Sequence, residues 1–403
     1  MSSLSHQCPQ CGAPVELQKT DRIFTCPFCQ VRLFIYGRGP LEFFIPPRIS
    51  SPGTLVYMPY WRLRGNVFVL TASRTQHKIL DSSLLAVKTN SVLPTLGLRA
   101  QAMTLHFVEP TTPGSFVQPD LSSAILKAQL VKFIPGLDLP NEKRLVAYIG
   151  DSLSLIFQPL YALEQHFIDG LTGKILGPMD VDREKFQPAS SSLRFVSTLC
   201  PKCGWDLQGH SQSLVQTCSH CETTWEAGPN QGKEVQVCFR TSVSSPDLYL
   251  PFWNVHFATT GFTLKTWSDL IQLTNLPKVP QPWMAVTPFT FRVPAFKIRP
   301  ELFLNLASAV SLHQPGQLTS TLPKVPLHPV TLPKNEAFEA IPVVLGRMAP
   351  ARKSLFLRIQ GGKIAPVKAT LEYIPFVQQK EEYFQPELGM AILKNALHWS
   401  TRL

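Results

Sequence analysis

The chain carries little charge, and that charge is dispersed. Only 16% of its 403 residues are Asp, Glu, Lys or Arg, whereas about 25% is usual for soluble domains. The net charge is +11, but no block of five or more like charges occurs, which argues against a basic tail that binds nucleic acid. Proline is abundant, with 37 residues. This composition favours either a β-rich protein with proline-punctuated loops or a surface that a partner partly covers.

Long apolar runs and recognisable catalytic motifs are also lacking. No run of 18 apolar residues predicts a membrane span, and residues 1–6 do not resemble a secretory signal, so we expect a cytoplasmic protein. We find no His-Glu-x-x-His, phosphate loop, dinucleotide-binding glycine motif or nucleophile elbow. These absences predict a protein that is not an enzyme. An active site between the repeats described below is the enzymatic alternative.

What the chain does contain is two four-cysteine motifs. Both read C-x2-C-x14-C-x2-C, and the second follows the first at an offset of 192 residues. Four thiolates at this spacing are typical of a closed, structural Zn²⁺ site, so we predict two zinc ions, with iron as the alternative metal. Thiolate ligands also favour a reducing compartment. The predicted ligands are Cys8, Cys11, Cys26, Cys29, Cys200, Cys203, Cys218 and Cys221.

The residues around each Cys-x-x-Cys pair, which we call a knuckle, refine this prediction. Gly12 and Gly204 follow the second cysteine of each first knuckle, where a positive φ is useful. His6, His210 and His220 lie nearby, but four cysteines already complete the coordination, so we expect these histidines not to be ligands. The second motif has no Lys or Arg between its knuckles. Because phosphate binding needs basic residues, the motifs themselves favour protein contact or a purely structural role.

The sequence after each motif also repeats. Tyr57–Trp61 recurs as Tyr249–Trp253 at the same offset, and Leu155–Tyr161 matches Leu371–Val377 at an offset of 216. Alternating apolar and polar residues in these segments indicate strands, and we expect Trp61 and Trp253 to be core residues. Few helices are indicated; the clearest covers residues 299–312, with an equivalent over 120–133.

We therefore predict a β-rich α+β fold made of two tandem repeats. Each repeat is a zinc ribbon followed by a mostly antiparallel β domain with few helices. The extra length of the second repeat is placed in a proline-rich loop over residues 314–336. The predicted boundaries are residues 1–38 for the first ribbon, 39–190 for the first β-rich domain, 191–230 for the second ribbon and 231–403 for the second β-rich domain.

This order of motifs resembles a group of uncharacterised bacterial zinc-ribbon proteins. The resemblance is carried by the four-cysteine ribbon, the Y-x-P-[FY]-W strand and the P-[LF]-[YV] strand that leads to a glycine turn. It covers most of the chain and implies a ribbon and a β-rich body, here in duplicate. Some members of the group have membrane spans or helicase-like labels, and this chain has neither membrane spans nor helicase motifs. The resemblance implies no activity.

Three functions remain as hypotheses at this point. The first is a non-catalytic zinc-binding scaffold or adaptor with a protein partner, including a membrane-associated assembly. The second is nucleic-acid binding through a basic β-domain surface formed by Arg62, Arg64, Arg74 and Lys78. The second repeat has Asn254 and His256 in place of Arg62 and Arg64, so such a surface would occur once. The third is an enzyme with its site between the repeats.

Overall fold

A computed structural model describes residues 3–18, 21–37, 39–97, 99–122, 125, 144–190, 193–226, 228, 232–313 and 316–399. The chain divides into two compact units. Unit 1 comprises Met1–Gly65, Ile79–Pro135 and Gly150–Thr198, and unit 2 comprises Asn66–Lys78, Gly136–Ile149 and Leu199–Leu403. The predicted domain boundaries stay a prediction, and the helix predicted over 120–133 lies largely outside the described residues.

Strands account for most of the regular structure. The strands are β1 (Ser3–Gln7), β2 (Pro14–Gln18), β3 (Ile23–Thr25), β4 (Arg32–Tyr36), β5 (Leu41–Phe44), β6 (Thr54–Thr71), β7 (Thr75–Leu85), β8 (Leu105–Phe107), β9 (Ser115–Val117), β10 (Arg144–Leu163), β11 (His166–Asp169), β12 (Ile175–Pro178), β13 (Phe186–Pro188), β14 (Arg194–Ser197), β15 (Val215–Thr217), β16 (Thr224–Glu226), β17 (Lys233–Glu234), β18 (Val237–Arg240), β19 (Leu248–Thr260), β20 (Phe291–Pro294), β21 (Leu318–Thr319), β22 (Lys363–Gln379), β23 (Glu382–Gln385) and β24 (Met390–Leu393). The α-helices are Arg99–Ala102, Trp267–Thr274, Pro282–Val286, Pro300–Leu312, Lys334–Met348, Arg352–Arg358 and Lys394–Trp399. The predicted β-rich α+β class is confirmed.

The strands that lie wholly or mostly in unit 1 form two sheets. Among the described residues, an 11-stranded sheet has the order β13-β9-β6-β10-β5-β8-β1-β2, with β7 paired to β6 and the hairpin β11–β12 paired to β10. A second sheet has the order β14-β4-β3. The first cysteine motif therefore spans both sheets, because β1 and β2 extend the large sheet while β3 and β4 belong to the small one. The first cysteine motif is thus joined to the body of unit 1 by backbone hydrogen bonds.

Unit 2 has a separate small sheet beside its second cysteine motif. This sheet has the order β15-β16-β17, and a seven-stranded sheet of order β20-β19-β22-β18-β21, with β23 and β24 attached to β22, forms the body among the described residues. Helices Pro300–Leu312 and Lys334–Met348 pack on each other, and both contact β20. The core of unit 2 lies between these helices and the sheet.

The two predicted core tryptophans are buried, as expected. The indole N–H of Trp61 donates to the carbonyl of Leu121 at 2.7 Å, and that of Trp253 donates to the carbonyl of Leu332 at 2.9 Å. Each buried indole donor is therefore satisfied, which removes the cost of burying a polar group. The prediction that these residues belong to the core is confirmed.

The tip of the β6–β7 hairpin belongs to the core of unit 2. Phe68 and Leu70 are buried there, and the Phe68 ring lies 5.9 Å from the Phe303 ring, centroid to centroid. Gly346 leaves room for this tip, since a Cβ at that position would lie 2.7 Å from Cδ2 of Leu70. Unit 2 thus includes side chains that precede the second cysteine motif by more than a hundred residues in sequence.

We expect Phe68→Ala to destabilise unit 2. Removing a buried phenylalanine ring typically costs about 3–5 kcal/mol, because apolar contacts are lost and a cavity remains. The free energy of opening can be measured by hydrogen exchange at the amides of helix Pro300–Leu312. Ile79→Ala is the matched control, because Ile79 is exposed on the returning strand β7. Equal exchange in the two variants would contradict this account of the hairpin tip.

Helices are more extensive in unit 2 than the sequence indicated. The predicted helix at 299–312 is confirmed as Pro300–Leu312, with Pro300 in its first turn. Helix Lys334–Met348 was not predicted, and it begins inside the expected loop 314–336, so residues 334–336 are helical. Pro342 lies in the middle of this helix. A proline removes one helical hydrogen bond and normally argues against a helix, so packing of the buried face overrides the local signal.

Candidate metal centres

The four cysteines of each motif converge on one point. In the first motif the Cys8 and Cys29 sulfurs lie 3.8 Å apart, and those of Cys11 and Cys26 lie 3.7 Å apart. In the second, Cys200–Cys221 and Cys203–Cys218 are separated by 3.6 Å and 3.5 Å. A tetrahedral ion with metal–sulfur bonds of about 2.3 Å places its ligands about 3.8 Å apart. Both tetrads therefore fit a four-coordinate metal ion.

Similar backbone turns orient the cysteine side chains so that their sulfurs converge. In the first knuckles the N–H of Gly12 donates to the carbonyl of Cys8, and that of Gly204 donates to Cys200, each at 2.8 Å. Both glycines have positive φ, as the sequence predicted. Gln30 and Glu222 follow the second knuckles and also take positive φ, near 58° and 56°. Sequence reasoning missed these two residues, because neither is a residue type that prefers this conformation.

One sulfur in each knuckle is buried and the other lies nearer the surface. Burial acts to raise the pKa of Cys26, but hydrogen bonds from the backbone N–H groups of Cys29 and Phe28 and from the Cys29 and Cys8 thiols together outweigh it and lower that pKa to about 7. Burial acts in the same way on Cys200, and N–H groups of Lys202 and Cys203 lower its pKa to about 6. Each tetrad thus contains a sulfur that the backbone stabilises as the thiolate, the form that binds a metal.

The second centre has a hydroxyl beside its sulfurs. The hydroxyl of Thr223 lies 3.0 Å from the Cys221 sulfur and 3.7 Å from the Cys200 sulfur, and it accepts a hydrogen bond from the Trp225 indole at 2.9 Å. Val31 occupies the corresponding position of the first motif at the 192-residue offset. The two centres therefore differ in polarity near the metal, and the repeated sequence pattern carried no signal for this difference.

The centres also differ in how they connect to the rest of their units. Cys8 and Cys26 belong to a large apolar cluster that includes Val15, Phe24 and many residues of the body of unit 1. Cys200 and Cys218 form a small separate cluster in which Leu207 is the remaining fully buried member. Val215 of this ribbon belongs to the main cluster of unit 2, but the apolar cluster around the sulfurs is small, so we expect a bound metal to supply most of the cohesion of the ribbon.

Within the described residues, the atoms that cluster as possible metal ligands are the cysteine sulfurs of the two tetrads. His6, His210 and His220 do not belong to these clusters. His6 stacks on Phe195 with ring centroids 4.7 Å apart, and its Nδ1 lies 3.3 Å from a Glu109 carboxylate oxygen. His220 stacks on Trp205 at 5.2 Å. His6, Glu109 and Cys8 line a cleft of about 900 Å³ in unit 1.

The four basic residues suggested for nucleic-acid binding lie in different environments. Arg62 is only 5% exposed, and its guanidinium lies 2.7 Å from a carboxylate oxygen of Asp81. Arg64 is partly buried, whereas Arg74 and Lys78 are exposed. Arg62 and Arg64 belong to unit 1, and Arg74 and Lys78 belong to unit 2. The Arg62 guanidinium is already neutralised by its partner, so its surroundings do not favour phosphate contact.

Fold and site together define a β-rich protein with two cysteine tetrads, each of which could hold a metal ion. The geometry fits two zinc ribbons. In the described part of the chain, no helix has the length and apolar character to cross a membrane. No protein-family model matches the chain, and neither the curated proteins nor the solved structures contain a match to it.

Proposed function

We propose that the protein is a non-catalytic, zinc-binding scaffold or adaptor that contacts protein partners through its ribbons. Four soft thiolates suit zinc, and they leave no coordination position for water or substrate. Such an ion supports folding and does not act as a Lewis acid. Zinc rather than iron is expected on metal analysis of protein purified without added metal, at two ions per chain.

The proposal includes an internal duplication. It is supported by the shared offset of the two cysteine motifs and by the similar backbone turns at all four knuckles. The two buried tryptophans at the same offset donate to backbone carbonyls in the same manner. Parallel pairing of β5 with β10 and of β18 with β22 gives both units a similar strand arrangement next to the ribbon.

The observation that carries the adaptor proposal is an exposed aromatic side chain at a knuckle of each ribbon. Phe28 is 65% exposed between two ligands of the first motif, and Trp205 is 56% exposed just after a ligand of the second. Exposed Leu199 lies beside Trp205, because Leu199 and Asp206 form a β-bridge. Aromatic residues are enriched at the centres of protein interfaces.

The experiment is a tagged pull-down from the host, in parallel with and without nuclease. Wild type, the double variant Phe28→Ser/Trp205→Ser and the control Ile175→Ser are compared, since Ile175 is an exposed apolar residue outside the ribbons. We expect defined proteins that survive nuclease and that the double variant loses while its metal content stays at wild-type level. The control should retain them.

Two results would count against the adaptor proposal. Retention of the same partners by the double variant would show that the ribbon aromatics do not bind them. Loss of all partners on nuclease digestion, with co-purified nucleic acid, would favour the nucleic-acid hypothesis. The affinity of the protein for nucleic acid would then be measured at increasing salt concentration, because phosphate contacts weaken steeply with salt. Turnover of a substrate by the purified chain would favour the enzymatic hypothesis.

A further inference from the structure

Two segments of unit 2 contain basic residues and no acidic ones. Neither 270–300 nor 340–371 contains Asp or Glu. Within them, Lys278, Lys353 and Arg358 are exposed and Arg352 is partly so. Arg292 is buried in an ion pair with Glu372, and Arg347 lies near Glu301, so those two do not contribute to an uncompensated surface charge. The exposed side chains of Lys278, Lys353 and Arg358 still give this surface a positive charge.

Large apolar side chains are exposed in the same segments. Val279 and Val286 are 77% and 78% exposed, and Leu357 is 68% exposed. Trp283 is exposed on the short helix Pro282–Val286, while Met284 of that helix is buried and anchors it. Isolated exposed apolar residues need no explanation, but a group of them among basic residues indicates a site of interaction.

Helix contacts bring these residues to one region of unit 2. Helices Pro282–Val286 and Arg352–Arg358 both contact helix Trp267–Thr274. The Arg358 guanidinium donates to the carbonyl of Gln272, near the end of that helix, and the loop carrying Lys278 and Val279 starts there. Leu357 precedes Arg358 and so lies near the end of helix Trp267–Thr274, and Lys353 is one turn earlier than Leu357 on the same helix. We call Lys278, Val279, Trp283, Val286, Lys353 and Leu357 the basic apolar patch.

We propose that the basic apolar patch docks unit 2 on the surface of an anionic lipid bilayer. Lysines are attracted to anionic headgroups. Valine and leucine side chains are removed from water when they enter the boundary between headgroups and acyl chains, and tryptophan is enriched at that depth. Nucleic acid fits less well, because aliphatic side chains neither hydrogen-bond phosphates nor stack on bases. The inference is independent of the ribbons and adds a second binding surface to the adaptor.

The test is flotation of the metal-loaded full chain with vesicles. Vesicles of phosphatidylcholine alone are compared with vesicles that also contain phosphatidylglycerol, at low and high salt. We expect binding to the anionic vesicles, weakened by salt. Lys278→Gln and Lys353→Gln should each lower the partition coefficient about fivefold, the change that follows from about 1 kcal/mol per basic residue. Val279→Ser/Val286→Ser should lower it further, and exposed Leu393→Ser should leave it unchanged.

Three outcomes would overturn the proposal. They are no binding to anionic vesicles at low salt, equal binding by Val279→Ser/Val286→Ser and wild type, or binding to single-stranded nucleic acid but not to vesicles. The variant Phe28→Ser/Trp205→Ser should bind vesicles like wild type. Failure of the ribbon-mediated adaptor and failure of membrane docking are therefore separate results.

Discussion

Loss of metal from the second centre is expected to unfold the second ribbon while the body of unit 2 stays folded. Cys200→Ser removes a buried ligand from a ribbon whose separate apolar cluster consists largely of its own cysteines and Leu207. Metal binding contributes roughly 10–16 kcal/mol to the folding of zinc-finger peptides, so a ribbon of this kind does not fold without it. Limited proteolysis should then cleave within residues 200–226, and the zinc content should fall from two ions to one.

The first centre should respond differently to the same change. Cys8→Ser also removes one ion, but Cys8 and Cys26 belong to the main apolar cluster of unit 1, and β1 pairs with β8 in the large sheet. We therefore expect Cys8→Ser to lower the stability of unit 1 as a whole, seen as faster hydrogen exchange in β8 and β5.

Cys238→Ser is the matched control for both cysteine substitutions. Cys238 is the ninth cysteine and lies outside both tetrads. It should keep two ions and wild-type protease resistance. If chelation of both ions leaves the two ribbons protease-resistant, the assignment of structural metal centres is wrong.

The second large effect is expected at a buried group of charges in unit 2. Glu372 on β22 accepts from Nε of Arg240 at 2.6 Å and from Nε of Arg292 at 2.9 Å, and all three side chains are buried. Nη1 and Nη2 of Arg240 have no hydrogen-bond partner among the described residues. Glu372→Gln would leave two buried guanidinium charges without a counter-charge. We expect a loss of about 3–5 kcal/mol in the free energy of unfolding, measured by chemical denaturation.

Arg240→Met separates this electrostatic cost from a simple packing defect. That variant keeps the Arg292–Glu372 pair and removes the guanidinium whose terminal nitrogens have no hydrogen-bond partner in the described part of the chain. The remaining Arg292–Glu372 pair is neutral, so no buried charge is left without a counter-charge, which is the main cost of breaking a buried ion pair. We therefore expect Arg240→Met to cost far less than Glu372→Gln. Equal losses would show that the pairing of charge at Glu372 does not determine the stability of this core.

The same carboxylate predicts a pH dependence. Burial acts to raise the pKa of Glu372, but the charges of Arg292 and Arg240 outweigh it and hold that pKa below its ordinary value of 4.5. A lowered folded-state pKa contributes stability that is fully present above the ordinary value and is lost as the pH falls toward the lowered one. Wild type should therefore lose this contribution below about pH 4.5, whereas Glu372→Gln should lack it at every pH.

The two cysteine tetrads were predictable from sequence because a knuckle is a local structure. Two cysteines separated by two residues face one point through a tight turn, and the spacing between knuckles recurs unchanged after 192 residues. Gly12 and Gly204 were predictable for the same reason. The alternating apolar pattern likewise predicted the β-rich class and the burial of Trp61 and Trp253, and apolar residues at helical spacing after Pro300 predicted the helix that begins there.

Other features depended on contacts between residues that are distant in sequence. The buried group of Arg240, Arg292 and Glu372 is assembled from β18, β20 and β22, and no local pattern marks those residues as partners. Helix Lys334–Met348 forms despite Pro342, because its buried face packs in the core of unit 2. The tip of the β6–β7 hairpin is assigned to unit 2, although it follows the first cysteine motif in sequence.

The sequence by itself thus determined the two cysteine tetrads, the β-rich class and the repeated order of motifs, since each depends on spacing and periodicity within a short segment. Only the tertiary structure decided which charges are buried together, which hydrophobic residues remain exposed beside lysines, and how firmly each ribbon is joined to its body. The physical reason is that burial and pairing are properties of the packed whole, where contacts across a hundred or more residues outweigh the preferences of any one segment.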